Sequence, residues 1–294
     1  MKKTISLLSL FIFFYLVLIV PLTNYMRVKP FVEKVGYVPS VPVLKAVAVD
    51  HKELVGAFLV LKVLMYFGGL VDKQKNELPI PPDYPAMSRM IHGAVQLDPY
   101  NMDAYYFGQA ILVWDVGKVD IANELLDYGM RYRTWDWYLP FFAGFNHAYF
   151  LKDYKAAANY YQRAGELSGS NLFKSLAGRY MQESGHTDLA LAYLTAMEKG
   201  EKNPVIRKTY RIRIAAFKEV RRIEIARDKY KLTNGVLPAT VDTLIKAGYL
   251  ASQPIDPYGG KFYLEPDGKV ATTSKFAFAA ANRAGEKQQV QKDR

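Results

Sequence analysis

Apolar residues recur along most of this chain at intervals of three and four, the spacing of helices with one buried face. Between residues 85 and 199 a longer period overlies that pattern. Ala122, Ala157 and Ala190 each stand four positions before a bulky residue, Leu126, Tyr161 and Leu194. Gly129, Ala164 and Met197 follow three positions later, and an earlier partial copy reads Met87, Ile91, Ala94 and then Pro99. The leading positions 87, 122, 157 and 190 lie 35, 35 and 33 residues apart. Turn residues at 98–99, 115–118, 151–153 and 184–186 separate the segments. Helices are therefore expected over 87–97, 102–116, 119–132, 136–150, 154–167, 172–183 and 187–199. Small residues let two antiparallel helices approach, and the large residue fills the gap to the next pair.

The period, the small–x3–bulky–x2–small helix and the closing proline resemble the tetratricopeptide repeat (TPR). The upstream helices carry Gly108, Gly144 and Gly178 near that family's small position, and the best copy runs from Ala143 to Ala164. The resemblance implies a mainly α fold, a TPR-like solenoid of antiparallel helix pairs. It implies a surface for another protein and names no activity.

The chain opens with Met1-Lys2-Lys3 and then an uncharged apolar run, Thr4–Leu22. Its length matches the hydrocarbon thickness of a bilayer, and no small-x-small cleavage site follows it. An uncleaved signal anchor over 1–26 is expected, a single transmembrane helix with its N-terminus inside. The soluble part then faces the periplasm or outer side of the cytoplasmic membrane. Residues 27–49, with Pro30, Pro39 and Pro42, read as an extended linker. The segment His51–Val71 is interrupted only by Lys62 from Leu54 onward. Two readings compete there: a buried helix capping the first repeat, which is preferred, and a second span. Asn76–Pro85 holds four prolines and reads as a loop. The helical array with its cap is placed at 50–232.

The cap is a basic helix. Lys199–Lys231 holds twelve Lys or Arg against four Asp or Glu, which accounts for most of the chain's net charge of +11. Apolar residues keep helical spacing, and Pro204 suits a first-turn position. The basic face offers Arg207, Arg211, Lys218 and Arg222 as candidate partner-binding residues. Anionic lipid and an acidic protein are the candidate partners, and internal pairing with Glu219 and Glu224 competes for the same charges. No recognition motif points to nucleic acid.

Aromatics are dense between Tyr105 and Phe150. Most positions of this kind serve packing between repeats. The cluster Trp135-Asp136-Trp137-Tyr138 stands at a helix entrance, where Trp and Tyr suit an interface. Trp135, Trp137 and Tyr138 complete the candidate partner-binding set.

After Asn234-Gly235 a short helix is expected over 240–247. A hairpin over 261–265 and 269–274 follows, turned by Pro266-Asp267-Gly268. Leu237-Pro238, Leu244, Gly248-Tyr249-Leu250, Pro254, Asp256-Pro257-Tyr258-Gly259, Tyr263 and Gly268 resemble the C-terminal part of major pseudopilins of type II secretion and related pilins. The segment 233–280 is therefore a pilin-like module. Two departures exclude a polymerising pilin: no Gly-Phe-Thr-Leu-x-Glu motif precedes the apolar run, and the family's acidic calcium loop is not evident. Asp256 is expected to fix its turn by accepting backbone amides. The tail, 281–294, is polar and expected to be disordered.

Composition removes several chemistries. Cysteine is absent, which excludes thiol catalysis, disulfides and Cys-based metal sites. The four histidines at 51, 92, 147 and 186 have no metal-ligand spacing, so no metal or cofactor is expected. Asp115, Asp153 and Asp188 fall at turns, not in a convergent acid–base set. The expected function is a membrane-anchored scaffold for protein–protein interaction in the bacterial cell envelope, and not an enzyme. The pilin resemblance implies a link to type IV pilus or type II secretion machinery. The alternative is a peripheral structural protein whose basic helix binds anionic lipid or an acidic partner.

Overall fold

The computed structural model describes residues 2–28, 34–75 and 80–276, with side chains over 10–25, 34–72 and 80–276. The chain is mainly helical, with one two-stranded antiparallel sheet. It divides into two compact units, Met1–Val116 and Gly117–Arg294, so the division falls inside the expected array.

The first unit contains α1 (Lys2–Val28), α2 (Val41–Ala48), α3 (Lys52–Lys75), α4 (Tyr84–Leu97) and α5 (Met102–Ala110). A π-helical turn, Ile111–Asp115, extends α5. Helix α2 lies in the stretch expected to be a linker. Ser40 precedes it, and Pro42 sits in the first turn, where a missing N–H costs nothing. Beyond that turn Val-Leu-Lys-Ala-Val-Ala holds no breaker, so the prolines start this helix and do not forbid it. Helix α4 forms the centre of the unit, against α2, α3 and α5. Gly93 marks the meeting point, since a Cβ there would lie 3.6 Å from Val41 and 3.7 Å from Leu59. Tyr66 accepts a hydrogen bond from the Asp83 amide at 2.9 Å, and Phe67 meets Phe107 edge-on.

Helix α3 is the expected buried cap on one face only, where Leu59, Val60, Val63 and Leu70 are buried. Its opposite face is open. Among the described residues Lys52–Asp72 is the one helix long and apolar enough to cross a membrane, and the shorter stretch Leu10–Tyr25 is the described apolar part of α1.

The second unit holds α6 (Val119–Tyr132), α7 (Tyr138–Asn146), α8 (Tyr154–Ser168), α9 (Asn171–Glu183), α10 (Thr187–Gly200), α11 (Pro204–Asn234), α12 (Val241–Lys246), β1 (Phe262–Leu264) and β2 (Val270–Thr272). A second π-helical turn, His147–Leu151, extends α7, and Lys152 in the left-handed region closes it. Consecutive helices from α6 to α11 pack on one another. The starts of α4, α6, α8 and α10 repeat the 35, 35 and 33 spacing seen in the sequence. Asp153 caps α8 through the Ala156 amide at 3.0 Å. Asn203 caps α11 just before Pro204, and Gly235 ends it in the left-handed region.

The repeat pattern has a direct steric meaning here. Ala157, Ala164 and Ala190 are fully buried, and so is Leu194. In the α7–α8 and α9–α10 pairs the bulky residue of the second helix lies over the glycine of the first. A Cβ on Gly144 would stand 3.2 Å from the Tyr161 ring, and one on Gly178 would stand 2.7 Å from Leu194. Tyr161 also stacks on Tyr180 of the next pair at 5.4 Å, which carries the packing onward.

One hydrophobic core runs from Ala148 through α8–α11 to Phe276. The C-terminal hairpin therefore shares the core of the helices. Phe276 meets Phe217 of α11 edge-on at 5.2 Å. The hairpin pairs Phe262 with Thr272 and Leu264 with Val270. Buried Asp256 accepts the Tyr258 amide at 2.9 Å, as expected for its turn. Its other oxygen accepts the Thr272 and Ser274 hydroxyls. Gly260 is required beside it, because a Cβ would come within 2.6 Å of that oxygen and of the Ser274 nitrogen. Residues 76–79 of the expected loop 76–85, 29–33 of the linker, 277–280 of the pilin-like module and the tail 281–294 lie outside the described residues, while Tyr84 and Pro85 of that loop already form the first turn of α4, where proline is tolerated.

Gly178→Val is expected to lower the stability of the second unit by about 1–3 kcal/mol, the usual cost of overpacking. Leu194→Ala should cost less stability in the Gly178→Val chain than in the natural chain, where it should cost about 2–5 kcal/mol, because it also removes the atoms that the added valine side chain would strike. Urea unfolding of the two single variants and the double variant measures the coupling.

Candidate interaction surfaces

The turn Arg133–Trp137 and helix α7 sort their aromatics by face. Leu139, Ala143 and Gly144 point inward. Trp137 and Phe141 lie on the flank towards α9, with their rings 5.3 and 5.2 Å from Phe173. Trp137, a candidate partner-binding residue from the sequence, thus packs helix against helix. Tyr138, Phe142, Phe145 and Tyr149 advance by four, three and four residues and form one stripe. Tyr138 stacks on Phe142 and Phe145 stacks on Tyr149, the latter pair only 8° from parallel. The ends of the stripe are open, with Tyr138 43% and Tyr149 55% exposed. Trp135 is 60% exposed, and the Arg133 guanidinium lies 5.7 Å from its ring centre. Asp136 orders this corner: it accepts Arg133 Nε at 2.8 Å and the Tyr138 amide at 3.0 Å.

The basic face of α11 has a different fate from the one its charge suggests. Arg207 donates to the carbonyls of Glu201 and Lys202 and closes the α10–α11 turn. Arg211 pairs with Glu198 at 2.7 Å. Arg222 pairs with Glu219 and donates to Ser252 Oγ at 3.0 Å. Arg213 donates to the Ser175 carbonyl and to the Tyr258 hydroxyl, and Arg227 donates to the Gly268 carbonyl at 2.7 Å. These side chains join α11 to α9, α10 and the C-terminal segment. Arg211 and Lys218 are the candidates that stay exposed, Arg211 within its Glu198 pair and Lys218 with no ion pair among the described residues.

Two buried or half-buried charges sit on these seams. Glu224 accepts the Thr187 hydroxyl at 2.8 Å at the start of α10, with Arg221 at 3.6 Å. Burial raises its pKa above the ordinary carboxylate value, and the Thr187 hydroxyl and the nearby arginines offset only part of that. Lys269 of the hairpin bonds Glu183 at 2.6 Å and lies over the Tyr154 ring. Burial alone would lower its pKa; the Glu183 bond outweighs burial and raises it. No group of three or more His, Asp or Glu is placed to hold a metal among the described residues. A groove of about 750 Å³ lies beside β1, between Thr240–Asp242 and Gln253–Asp256.

A raised Glu224 pKa means that the fold favours the protonated form, so its charge costs stability at pH above that pKa. Glu224→Gln keeps the acceptor for Thr187 and removes the charge. Its melting temperature should exceed that of the natural chain at pH 8, and the gain should shrink as pH falls through the raised pKa. A gain that grows on acidification would contradict this.

No family model matches the chain. No curated protein matches it either. A solved structure described as YrrB, a TPR protein with an unusual peptide-binding site, is similar at 17% identity with a TM-score of 0.37, over 72% of this chain and 100% of its own. At that identity and score the likeness adds nothing to the helix packing described above.

Proposed function

We propose that this chain is a scaffold that holds another protein against its helical repeats, tethered by α1 to the bacterial cytoplasmic membrane. The observation that carries this reading is the aromatic stripe on α7 with Trp135 beside it. Open Trp and Tyr side chains on a rigid helix are the residues from which interface anchors are built. The buried charges support a scaffold over an enzyme, because each is used inside the fold. Glu224 accepts the Thr187 hydroxyl on one oxygen and faces Arg221 with the other, and Asp256 accepts hydroxyls and an amide of its own turn and hairpin.

Anchoring and location rest on the sequence. Lys2 and Lys3 precede the apolar run of α1, which favours an N-inside single span with the repeats on the periplasmic side. A link to type IV pilus or type II secretion machinery rests on the pilin-like residues at 237–268. The alternative, a lipid-binding basic helix, is the weaker, because Arg207, Arg213 and Arg227 are held by carbonyls of the fold.

Photo-crosslinking from position 149 in membranes should yield a discrete protein adduct. The same probe at Lys155, exposed on α8, is the control. Trp135→Ala should weaken capture of that partner roughly tenfold or more, the effect of losing an interface anchor, with little change in stability. Trp137→Ala should instead cost about 3 kcal/mol of stability, as loss of a packed aromatic does. Absence of any adduct above the control would remove the scaffold reading.

A further inference from the structure

Helix α3 buries one arc against its neighbours and leaves the other open. Leu54, Phe58, Leu61 and Met65 are 68, 61, 53 and 71% exposed. They advance by four, three and four residues, so they lie on one stripe. Ala57, Leu64, Gly68 and Val71 widen that arc, and no exposed position from Leu54 to Val71 carries a charge. At 1.5 Å per residue the strip is roughly 27 Å long. A water-facing helix normally puts its charges on that side. Helix α4 does so, with Arg89 and Gln96 exposed.

The chain itself limits what covers the strip. Helix α1 ends at Val28 and α2 begins at Val41. The intervening residues reach roughly 40 Å when fully extended. Whatever medium receives α1 therefore lies within that reach of α2, which precedes α3 directly. Val43, Val47 and Val49 of the neighbouring α2 region are exposed as well. Lys45, Lys52 and Lys62 lie along this region together with the acidic Asp50 and Glu53. Lysine stems beside an apolar strip place their charges at the level of lipid headgroups.

We propose that α3 lies in the plane of the bilayer, with its Leu54–Phe58–Leu61–Met65 stripe in the acyl boundary of the same membrane that receives α1. The inference rests on the anchoring reading above. It differs from a second span. The buried arc of α3 is committed to α4, and crossing would carry Arg89, Gln96 and the Asp83 cap into hydrocarbon, where such groups are costly. One helix in the interface and one through it would hold the first unit against the membrane at two places.

The chain has no cysteine, so single-cysteine labelling is clean. Nitroxides are placed in the full chain by Tyr15→Cys, Leu54→Cys, Phe58→Cys, Leu61→Cys, Met65→Cys, Val71→Cys and Lys155→Cys, in vesicles of phosphatidylethanolamine and phosphatidylglycerol. Collisions with oxygen and with a nickel chelate then give depths. Positions 54, 58, 61 and 65 should share one shallow depth, about 5–10 Å below the headgroups, with 71 at the edge of the arc nearer the surface, 15 deeper and 155 in water. Positions 58 and 65 in water with 15 deep would overturn the inference and leave the anchor standing. Position 15 in water would overturn the anchor and this inference together. A depth profile that peaks at 61 and falls towards 54 and 71 would mean a span and overturn it. Protection of 58 from both quenchers, with a short distance between labels on two copies, would assign the stripe to a dimer and also overturn it.

Discussion

The second unit depends on a bulky side chain seated over a glycine. Tyr161 lies over Gly144 and Leu194 lies over Gly178, each bulky residue on the second helix of a pair. Without a Cβ the first helix lets that side chain reach its backbone, so two helices approach closely and few atoms fill the seam. Burying such a side chain fully is worth about 1.5–3 kcal/mol. The geometry recurs because the residues recur at nearly fixed spacing. Tyr161 then meets Tyr180 and Phe173, so each seam hands its packing to the next. The aromatic stripe on α7 is presented by a helix whose other side is fixed in this way.

Helix α11 closes the stack and also receives the C-terminal segment. Its apolar side, Tyr210, Ile214, Phe217, Val220 and Ile223, continues the core. Its arginines reach outward around that core to carbonyls and carboxylates on both sides. Arg213 bridges Ser175 and Tyr258, and Arg227 holds the hairpin turn at Gly268. Guanidinium groups suit this work because each supplies several donors in one plane. A strongly positive composition is therefore partly an internal device here, and less of it is available to a partner than the net charge suggests.

The repeat is legible in the sequence because small, bulky and small residues lie within one helix. Their spacing alone places the starts of α6, α8 and α10 to within a residue or two. The start at Pro204, the stop at Gly235 and the turn role of Asp256 are legible for the same reason, since each acts on its own neighbours. What is not legible depends on distance. Lys269 and Glu183 are far apart in sequence, and nothing local marks them as a pair. Trp135, Trp137 and Tyr138 look alike as a cluster, yet Trp137 turns towards Phe173 while its neighbours face out. Helix α2 is hidden because proline marks a helix start as readily as a loop. The two faces of α3 are hidden because both are apolar, and only packing tells which one is covered.

Native-state hydrogen exchange of the full chain tests the central claim most directly, that one continuous core joins the repeat seams, α11 and the hairpin. The account predicts that the most protected amides of α8, α9 and α11 and those of residues 262–272 open with the same free energy. It predicts further that Gly178→Val lowers them together. Exchange of 262–272 at a much lower free energy, unmoved by that substitution, would show that the hairpin is a separate appendage and contradict the account.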